Sequence, residues 1–453
     1  MNKKENSIIL SADQTDALDK LKDFLLTKDT SITLIGYAGT GKTTILQDFV
    51  YQLESMRYEF VLCAPTHRAK LVLSQSTNRE AITLHKLLSL APNIEIYNLD
   101  YKDLMFHSKG SSQIPHDGIV IIDEASMVND HIYRLLHKYA EENNSKLIFV
   151  GDRSQLAPIN EKESKVFNNK HKITLSKIHR QAENNPILPI LNELRNHHKL
   201  KFYDIPEYLY TYTNAEEFII KSIPYFYHAL KNSNTNDVKI LSYTNARVKA
   251  FNDCIRRVLF KEKAENPYNK LEILTGYENF EYNNHTYYNS MDYIIISVEK
   301  YSKYIPKFMA LPGYKLELYD PYADSTNEIF ILDNNINPDH LTLLATLIEE
   351  TRFKALDAKR KNQRIIANKK WKEYFEILNS FAISFNLVYD NRVIKNKTFD
   401  YGYAMTVFKA QGSSIENVFI DIKDINKCKD DNTKRQMQYV GLSRTKNKIF
   451  LLQ

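Results

Sequence analysis

The chain has 453 residues, 43% of them hydrophobic, which is enough for more than one domain with an ordinary core. No uncharged apolar run reaches the roughly 18 residues of a membrane span, and the N-terminus lacks the apolar core of a secretion signal. The 61 basic and 55 acidic residues leave a net charge of +6, a weak indication of a polyanionic partner. Three widely spaced cysteines indicate neither a disulfide framework nor a zinc site, so we expect a cytoplasmic protein.

The chain begins with an amphipathic helix, predicted over residues 12–26, in which Leu18, Leu21 and Leu25 share a face. Short apolar runs separated by helical or loop sequence follow at residues 32–35, 60–63, 119–122 and 147–150. A second set lies at residues 173–175, 239–242, 418–420 and 448–452. Runs of this kind are typical of parallel strands that helices cover on both faces. The sequence therefore predicts an α/β fold with two sheets in tandem.

Two stretches interrupt this alternation and are interpreted as insertions. Residues 89–117 are polar and aromatic. Residues 265–400 combine strand-like runs and tyrosine-rich loops with a charged helical segment at about 341–380. The predicted division is a first unit over residues 1–172 and a second unit over residues 173–264 and 401–453.

Residues 36–43 match the phosphate-binding P-loop in full and lie between a predicted strand and a predicted helix. Its glycines let backbone N–H groups wrap a phosphate, and the N-terminus of the next helix adds positive potential. We expect Lys42 to reach the β- and γ-phosphates of a nucleotide and the Thr43 hydroxyl to bind Mg²⁺. The predicted nucleotide-binding residues here are Gly36, Ala38, Gly39, Thr40, Gly41, Lys42, Thr43 and Thr44.

A second half of such a site follows where the apolar run at residues 119–122 ends in Asp123 and Glu124. Open α/β sheets bind their ligands at the carboxyl ends of the strands. We expect Asp123 to hold Mg²⁺ through its water shell, and Glu124 to orient and deprotonate an attacking water. An Asp-Glu pair after a strand is common, but together with the P-loop it predicts ATP hydrolysis.

Gln14 has two interpretations. Its spacing from Ser11 is that of a capping box at the start of the first helix. Alternatively, it is an adenine-reading glutamine just ahead of the P-loop. The residues alone do not separate the two.

The order of the motifs resembles that of superfamily 1 helicases, in the RecD-like group and the Dda-type helicases of T-even phages. Beyond Gln14, the P-loop and residues 123–127, the motifs lie at residues 64–70, 83–88, 151–158, 175–181, 242–245, 409–414 and 439–445. The resemblance implies two RecA-like P-loop domains. It also implies a β-pin at residues 89–117 of the first, and an SH3-like barrel with a helical tower at residues 265–400 of the second.

The same resemblance implies that ATP binds between the two units. Gln155 would sense the γ-phosphate. Arg180 and Arg444 would cross from the second unit to neutralise charge on the transferred phosphoryl group. Gly412 is assigned to the nucleotide site as well. The plainer interpretation of each arginine is a surface ion pair.

Single-stranded DNA would lie across both units. The contacts that the resemblance implies are Pro65, Thr66, His67, Thr83 and His85 on the first unit, and Thr244, Asn245, Lys409, Gln411 and Ser413 on the second. Hydroxyls, amides and a few cations suit contact with the sugar-phosphate backbone. The alternative for each histidine is a buried structural imidazole. Phe408 stands where relatives carry His, and it is expected to stack on a base or to pack in the core.

In the pin insertion, Tyr97, Tyr101 and Phe106 are candidates for stacking on the first base pair, or else they form the core of the hairpin. The basic residues between 354 and 372 are interpreted as a solvated helix face rather than as a strip that contacts DNA or the pin. Trp371 is expected to pack within the helical segment.

The sequence thus predicts an ATP-dependent DNA helicase that uses ATP and Mg²⁺ and moves 5′ to 3′ on single-stranded DNA. The polarity comes from the resemblance alone. The alternatives are a single-strand translocase that does not unwind and an RNA helicase. We expect a monomer that binds single strands and duplex junctions in the cytoplasm, the host's if the chain is phage-encoded. A single-strand-binding protein is a candidate partner, and no membrane is involved.

Overall fold

The computed structural model describes residues 10–96, 98–101, 105–177 and 186–453 of the chain. In this part, two parallel sheets and one antiparallel sheet form the framework, and helices cover them. None of the helices described there combines the length and apolar composition that a bilayer span requires.

The first unit is built on a buried parallel sheet. Its strands, and those of a small hairpin, are β1 (Ser31–Gly36), β2 (Phe60–Ala64), β3 (Ala81–Thr83), β4 (Leu90–Pro92), β5 (Phe106–Ser108), β6 (Ile119–Ile122), β7 (Lys146–Gly151) and β8 (His171–Leu175). The sheet has the order β3-β2-β6-β7-β1-β8, and all its neighbours are parallel. Apolar side chains fill both faces, which is why the strands read as continuous apolar runs.

Side-chain caps fix where the helices of this unit begin. The helices are α1 (Ala12–Leu25), α2 (Lys42–Ser55), α3 (His67–Thr77), α4 (Leu84–Leu87) and α5 (Asp130–Glu142). Ser11, Thr66 and Asn129 each accept a hydrogen bond from a backbone N–H in the first turn of α1, α3 and α5. The cap at Thr66 starts α3 two residues after β2 ends, at the carboxyl edge of the sheet.

The apolar run at residues 173–175 lies in the first sheet, so the prediction that it opens the second unit is wrong. β8 pairs in parallel with β1, from the pair Ile32–His171 to the pair Gly36–Leu175. The predicted boundary at residue 172 therefore falls inside a strand. A short apolar run has the same pattern whichever sheet it joins, so its sheet cannot be assigned from the pattern alone.

The second unit starts with α6 (Leu188–Arg195), β9 (Leu209–Tyr212), α7 (Ala215–Lys231), β10 (Val238–Ser242) and α8 (Asn245–Phe260). An insertion follows with strands β11 (Ile273–Gly276), β12 (Phe280–Tyr282), β13 (His285–Tyr287), β14 (Asp292–Tyr304), β15 (Ala310–Asp320) and β16 (Ser325–Leu332). It continues with α9 (Pro338–Arg360), α10 (Arg364–Leu378), β17 (Leu387–Tyr389), β18 (Arg392–Lys395) and β19 (Phe399–Tyr401). The chain then closes with β20 (Ala404–Thr406), β21 (Ile415–Asp421), α11 (Ile422–Ile425), α12 (Asp431–Ser443) and β22 (Thr445–Leu452).

The second parallel sheet has the order β20-β10-β21-β22-β9, so the other three predicted runs of the second set lie where expected. The insertion contains an antiparallel sheet in the order β16-β15-β14-β11-β19, with α9 and α10 packed against each other. The predicted charged helical segment is confirmed as this helix pair, and Trp371 packs edge-on against Tyr374 inside it. The SH3-like assignment stays a prediction.

The small hairpin of β4 and β5 forms part of the predicted pin and is held by the helix pair. The Tyr101 hydroxyl lies 2.7 Å from that of Tyr374 on α10. The fully buried Arg352 on α9 donates to the carbonyl of Ile96 at 2.6 Å and is paired with Glu349. These contacts anchor a hairpin of three residues per strand, which has too little core to be stable alone.

A buried charge cluster joins the first unit, the second unit and the insertion. Arg68 on α3 and Lys239 on β10 both contact the carboxylate of Asp292 on β14, at 2.8 and 3.0 Å. The Thr275 hydroxyl also donates to this carboxylate. Burial alone would raise the pKa of Asp292, but the two cations hold it below its usual value. One carboxylate therefore fixes how three parts of the chain meet.

We expect Asp292→Asn to destabilise the protein by about 3–5 kcal/mol, because two buried cations lose their counter-charge. The measurement is the midpoint of thermal or urea unfolding, followed by circular dichroism. The control is Asp16→Asn, which removes an exposed pair with Lys20 and is expected to cost less than about 1 kcal/mol. Equal midpoints for the two variants would contradict a structural role for the cluster.

Candidate nucleotide site and nucleic-acid groove

The P-loop connects β1 to α2 with the geometry that phosphate binding needs. Gly39 and Gly41 have φ values of 83° and 79°, where a side chain is strained, so both positions favour glycine. The Lys42 ammonium donates to the carbonyls of Gly36 and Tyr37 at 2.6 and 3.1 Å, which places it inside the loop. The side chain of Thr43, at the start of α2, is exposed. The loop thus has the backbone shape that its motif predicts, and contact of Lys42 with phosphate and of Thr43 with Mg²⁺ stays a prediction.

Both interpretations of Gln14 agree with the structure. Its side-chain oxygen accepts from the backbone of Ser11 at 3.0 Å, which completes the capping box of α1. Its side-chain nitrogen donates to the Thr40 carbonyl in the P-loop at 3.4 Å. The cap therefore holds the amide against the nucleotide loop, and adenine reading stays a prediction.

Asp123 and Glu124 follow β6 at the carboxyl edge of the first sheet, close to the P-loop. Burial, and then the charge of Glu124, raise the pKa of Asp123 to about 6. Glu124 adopts a left-handed backbone with φ of 50°, and its N–H donates to the Asp123 carboxylate at 2.8 Å. The turn points the two carboxyl groups into one small volume, where a cation would relieve their repulsion.

The second unit reaches this carboxylate pair through Arg444, at the end of α12. Arg444 Nη1 lies 3.2 Å from Glu124 Oε1. In the amide orientation that satisfies both neighbours, Gln155 donates to Glu124 Oε2 and accepts from Arg444 Nη2, each at 2.8 Å. The structure therefore brings together three of the five predicted catalytic side chains, Glu124, Gln155 and Arg444. Lys42 lies in the adjacent loop, whereas Arg180 lies outside the described residues.

Tyr439, also on α12, makes a second crossing between the units. Its hydroxyl donates to Asp152 at 2.6 Å and accepts from the N–H of Ala38 in the P-loop at 3.2 Å. Sequence reasoning missed both Tyr439 and Asp152, although both lie in the motifs that carry Gln155 and Arg444. The sequence around Tyr439 carries no pattern that predicts a contact of its hydroxyl with the first unit.

Gly412 lies at the contact between the units. A Cβ at this position, where φ is 72°, would come within 2.8 Å of the Ala69 Cβ on α3. The position therefore allows the second unit to approach α3 closely. A nucleotide contact by Gly412 stays a prediction.

The five predicted nucleic-acid residues of the first unit line one cavity of about 720 Å³. They are Pro65, Thr66, His67, Thr83 and His85. The opposite wall comes from the hairpin and the insertion, including Phe106, Tyr277, Asn279 and Asn289. We call this cavity the groove. Its insertion-side residues were missed, because the sequence of the insertion carries no motif.

The two histidines are partly buried in the groove. His67 stacks on Tyr288, with ring centroids 3.9 Å apart, and burial lowers the pKa of His67 to about 4. Burial also lowers the pKa of His85, which meets Phe106 edge-on. Both rings are therefore neutral near pH 7 and offer hydrogen bonding and stacking rather than charge.

Four of the predicted contacts of the second unit divide by burial, with two at the start of α8 that are at least partly exposed and two that are buried. Asn245 is exposed, whereas Thr244 caps α8 and donates to Asp424 at 2.9 Å. Gln411 and Ser413 differ from the prediction, because both side chains are buried and bonded within the protein. Gln411 donates to the Leu156 carbonyl at 3.2 Å, and Ser413 to the Ala410 carbonyl at 2.5 Å. In this conformation the Gln411 side chain joins the two units, whereas the Ser413 side chain bonds within its own unit.

Lys409 faces the groove wall of the insertion. Its ammonium lies 3.8 Å from the centre of the Tyr277 ring. Burial lowers the pKa of Lys409 to about 8. Phe408, next to it, packs against the core of the second unit, one of the two roles expected for it.

Of the pin candidates, the structure describes two. Tyr101 is half-buried and bonded to the helix pair, as in the hairpin-core interpretation. Phe106 is 40% exposed and lines the groove. Tyr97 lies outside the described residues.

Comparison with known proteins shows which families the chain resembles. Residues 9–209 match the family described as AAA domain, and residues 401–452 match the UvrD-like helicase C-terminal domain. The chain is 23% identical over 462 residues to the ATP-dependent DNA helicase dda of Enterobacteria phage T4, covering 97% of this chain and 98% of that protein. It is 32% identical over 181 residues to the RecD2 DNA helicase of Deinococcus radiodurans, covering 40% and 23% of the two chains.

The fold resembles that of a solved helicase. The crystal structure of Pif1 helicase from Candida albicans superimposes with a TM-score of 0.52 at 16% identity, and the match covers 98% of this chain and 94% of that one. This likeness shows the two RecA-like domains. With the order of the motifs, the two domain matches and these relatives, the chain belongs to the superfamily 1 helicases, in the RecD-like group.

Proposed function

We propose that the chain is an ATP-dependent DNA helicase that moves 5′ to 3′ along single-stranded DNA and separates the strands of a duplex. The observation that carries this proposal is the contact of Arg444 with Glu124 and Gln155. Through this contact, residues of both domains meet at the proposed ATPase site. A motor requires such an arrangement, because hydrolysis must change how its two domains are placed. The matched dda protein is described as an ATP-dependent DNA helicase.

ATP would bind with its phosphates in the P-loop and its base towards Gln14. Lys42 would leave the loop carbonyls for the β- and γ-phosphates. Glu124 would orient the attacking water and accept its proton, and Gln155 would sense the γ-phosphate. Arg444, together with Arg180, would then stabilise the charge that develops on the γ-phosphoryl oxygens.

The residues present also fit Mg²⁺. Thr43 is an exposed residue at the start of α2, and Asp123 is a half-buried residue whose pKa is raised by desolvation of its carboxylate. No group of three or more His, Cys, Asp or Glu in the described ranges forms a metal cage. A nucleotide-bound Mg²⁺ needs only one or two carboxylates, because phosphates and water complete its coordination. The ion would neutralise charge on the β- and γ-phosphates.

The contact between the units supports coupling of hydrolysis to movement. Thr66 and His67 line the groove at the start of α3, and Ala69 on the same helix packs against Gly412. A shift of the second unit after hydrolysis would therefore act on α3 and on the strand that it holds. A monomer would contain all these parts. A single-strand-binding partner and the cytoplasmic location expected from the cysteines stay predictions.

We expect Arg444→Ala to lower kcat of DNA-stimulated ATP hydrolysis by about 100-fold or more, and to change ATP affinity far less. The reason is that its guanidinium would act on charge formed in the transition state. Lys42→Ala is the reference for a dead site and should abolish hydrolysis while leaving single-strand binding. Loss of ATP affinity with kcat unchanged would contradict this role of Arg444.

We expect Phe106→Ala to slow duplex unwinding while single-strand-stimulated ATP hydrolysis stays near that of the wild type. Phe106 is the exposed aromatic of the hairpin, and base stacking on such a ring contributes about 1–3 kcal/mol. Tyr51→Ala, at an exposed aromatic on α2 outside the groove lining, is the control. If both variants unwind as the wild type does, Phe106 does not separate strands.

The proposed function is tested by unwinding of duplexes that carry either a 5′ or a 3′ single-stranded tail, with ATP and Mg²⁺. We expect opening only with the 5′ tail. Opening only with the 3′ tail would refute the polarity. ATP hydrolysis stimulated by single strands without any opening would identify a translocase. Opening of RNA but not DNA duplexes would identify an RNA helicase.

A further inference from the structure

Arg195, the last residue of α6, places its guanidinium against the P-loop of the first unit. The guanidinium carbon lies 4.3 Å from the centre of the Tyr37 ring and 5.5 Å from that of Tyr439. Tyr37 is the second residue of the P-loop, and the Tyr439 hydroxyl is bonded to Ala38, the third. Two aromatic rings, one from each unit, therefore hold this cation at the nucleotide loop.

The hydrogen-bonding groups of Arg195 are only partly used. Nη1 donates to Asn192 Oδ1 at 2.7 Å, one turn earlier on α6. Nε and Nη2 are shielded from solvent and have no hydrogen-bond acceptor. In the described part of the chain, no carboxylate pairs with Arg195. Buried donors without a partner cost free energy, so these two N–H groups are poised for an acceptor that arrives from outside.

The surroundings indicate which part of a nucleotide would supply that acceptor. Tyr439 bonds Asp152, and the Asp152 carbonyl accepts from the N–H of Gln155, which contacts Glu124 and Arg444. Arg195 thus lies on the side of the P-loop that faces Glu124, Gln155 and Arg444, the proposed hydrolytic residues. The base side is marked by Gln14, whose amide lies against Thr40. A phosphate oxygen is the acceptor that this side of the loop receives.

We infer that Arg195 is a further nucleotide-binding residue, which donates to the terminal phosphate of ATP and so distinguishes ATP from ADP. This inference rests on the proposed ATPase function. Stacking on Tyr37 and Tyr439 restricts the guanidinium before ATP arrives, so little side-chain entropy is lost on binding. ADP lacks the terminal phosphate and leaves the two donors unpaired.

The test compares binding of the non-hydrolysable ATP analogue AMP-PNP with binding of ADP, by titration calorimetry with Mg²⁺. We expect Arg195→Ala to weaken AMP-PNP binding about tenfold or more and to change ADP binding less than about twofold. Arg195→Lys keeps the charge but not the planar fork, and it should recover part of the difference. The control is Arg134→Ala, an exposed ion-pair residue on α5, which should bind both nucleotides as the wild type does.

Equal weakening for AMP-PNP and ADP, or no weakening of either, would overturn the inference. If Arg195→Ala does not fold, the same comparison of the two nucleotides is made with Arg195→Lys. Failure of the proposed function is distinguished by a separate measurement on the wild type. In that case the wild-type chain would show no DNA-stimulated ATP hydrolysis. If the wild type hydrolyses ATP and Arg195→Ala keeps the wild-type preference for AMP-PNP over ADP, the proposed function stands and only the role of Arg195 is refuted.

Discussion

A guanidinium from one domain reaching a carboxylate of the other is the interaction on which the rest of this molecule depends. Arg444 belongs to the second unit, and its Nη1 lies 3.2 Å from Glu124 of the first unit while it also donates to the Ser413 carbonyl of its own unit at 3.4 Å. In the proposed mechanism, neither domain by itself holds all the residues for phosphoryl transfer. The state of the nucleotide can therefore be transmitted as a change in the distance between two rigid sheets, because each sheet is buried on both faces and resists deformation.

Residues at the contact between the units and residues that line the groove are close together in the chain. Thr66 caps α3 and lines the groove, whereas Ala69, in the first turn of the same helix, meets Gly412 of the second unit. In the second unit, the Gln411 side chain donates to Leu156 of the first unit, while the nearby Lys409 faces Tyr277. Short segments thus belong to both surfaces, so in the proposed function a small relative movement of the units would reach a strand bound in the groove.

The sequence predicts local geometry well and distant pairing poorly. The P-loop, the Asp123–Glu124 turn and the capping box at Gln14 were predictable because a few adjacent residues specify each of them. By contrast, β8 was assigned to the wrong sheet, because an apolar run alone does not indicate which strand it pairs with. The contact of Tyr439 with Asp152 joins residues 287 positions apart, and no local signal accompanies it. The groove was half predicted, since its second wall comes from an insertion without motifs.

The buried cluster at Asp292 also constrains the order in which the chain becomes stable. Arg68 is made early in synthesis, but its carboxylate partner lies 224 residues later, and Lys239 also precedes that partner. Until Asp292 is made, burying either cation costs free energy without compensation. The first domain, although its sheet is complete by residue 175, therefore emerges from the ribosome with α3 unable to settle fully. Native packing around α3 is consequently a late, long-range step, and steps of this kind slow folding and lengthen exposure to aggregation or proteolysis.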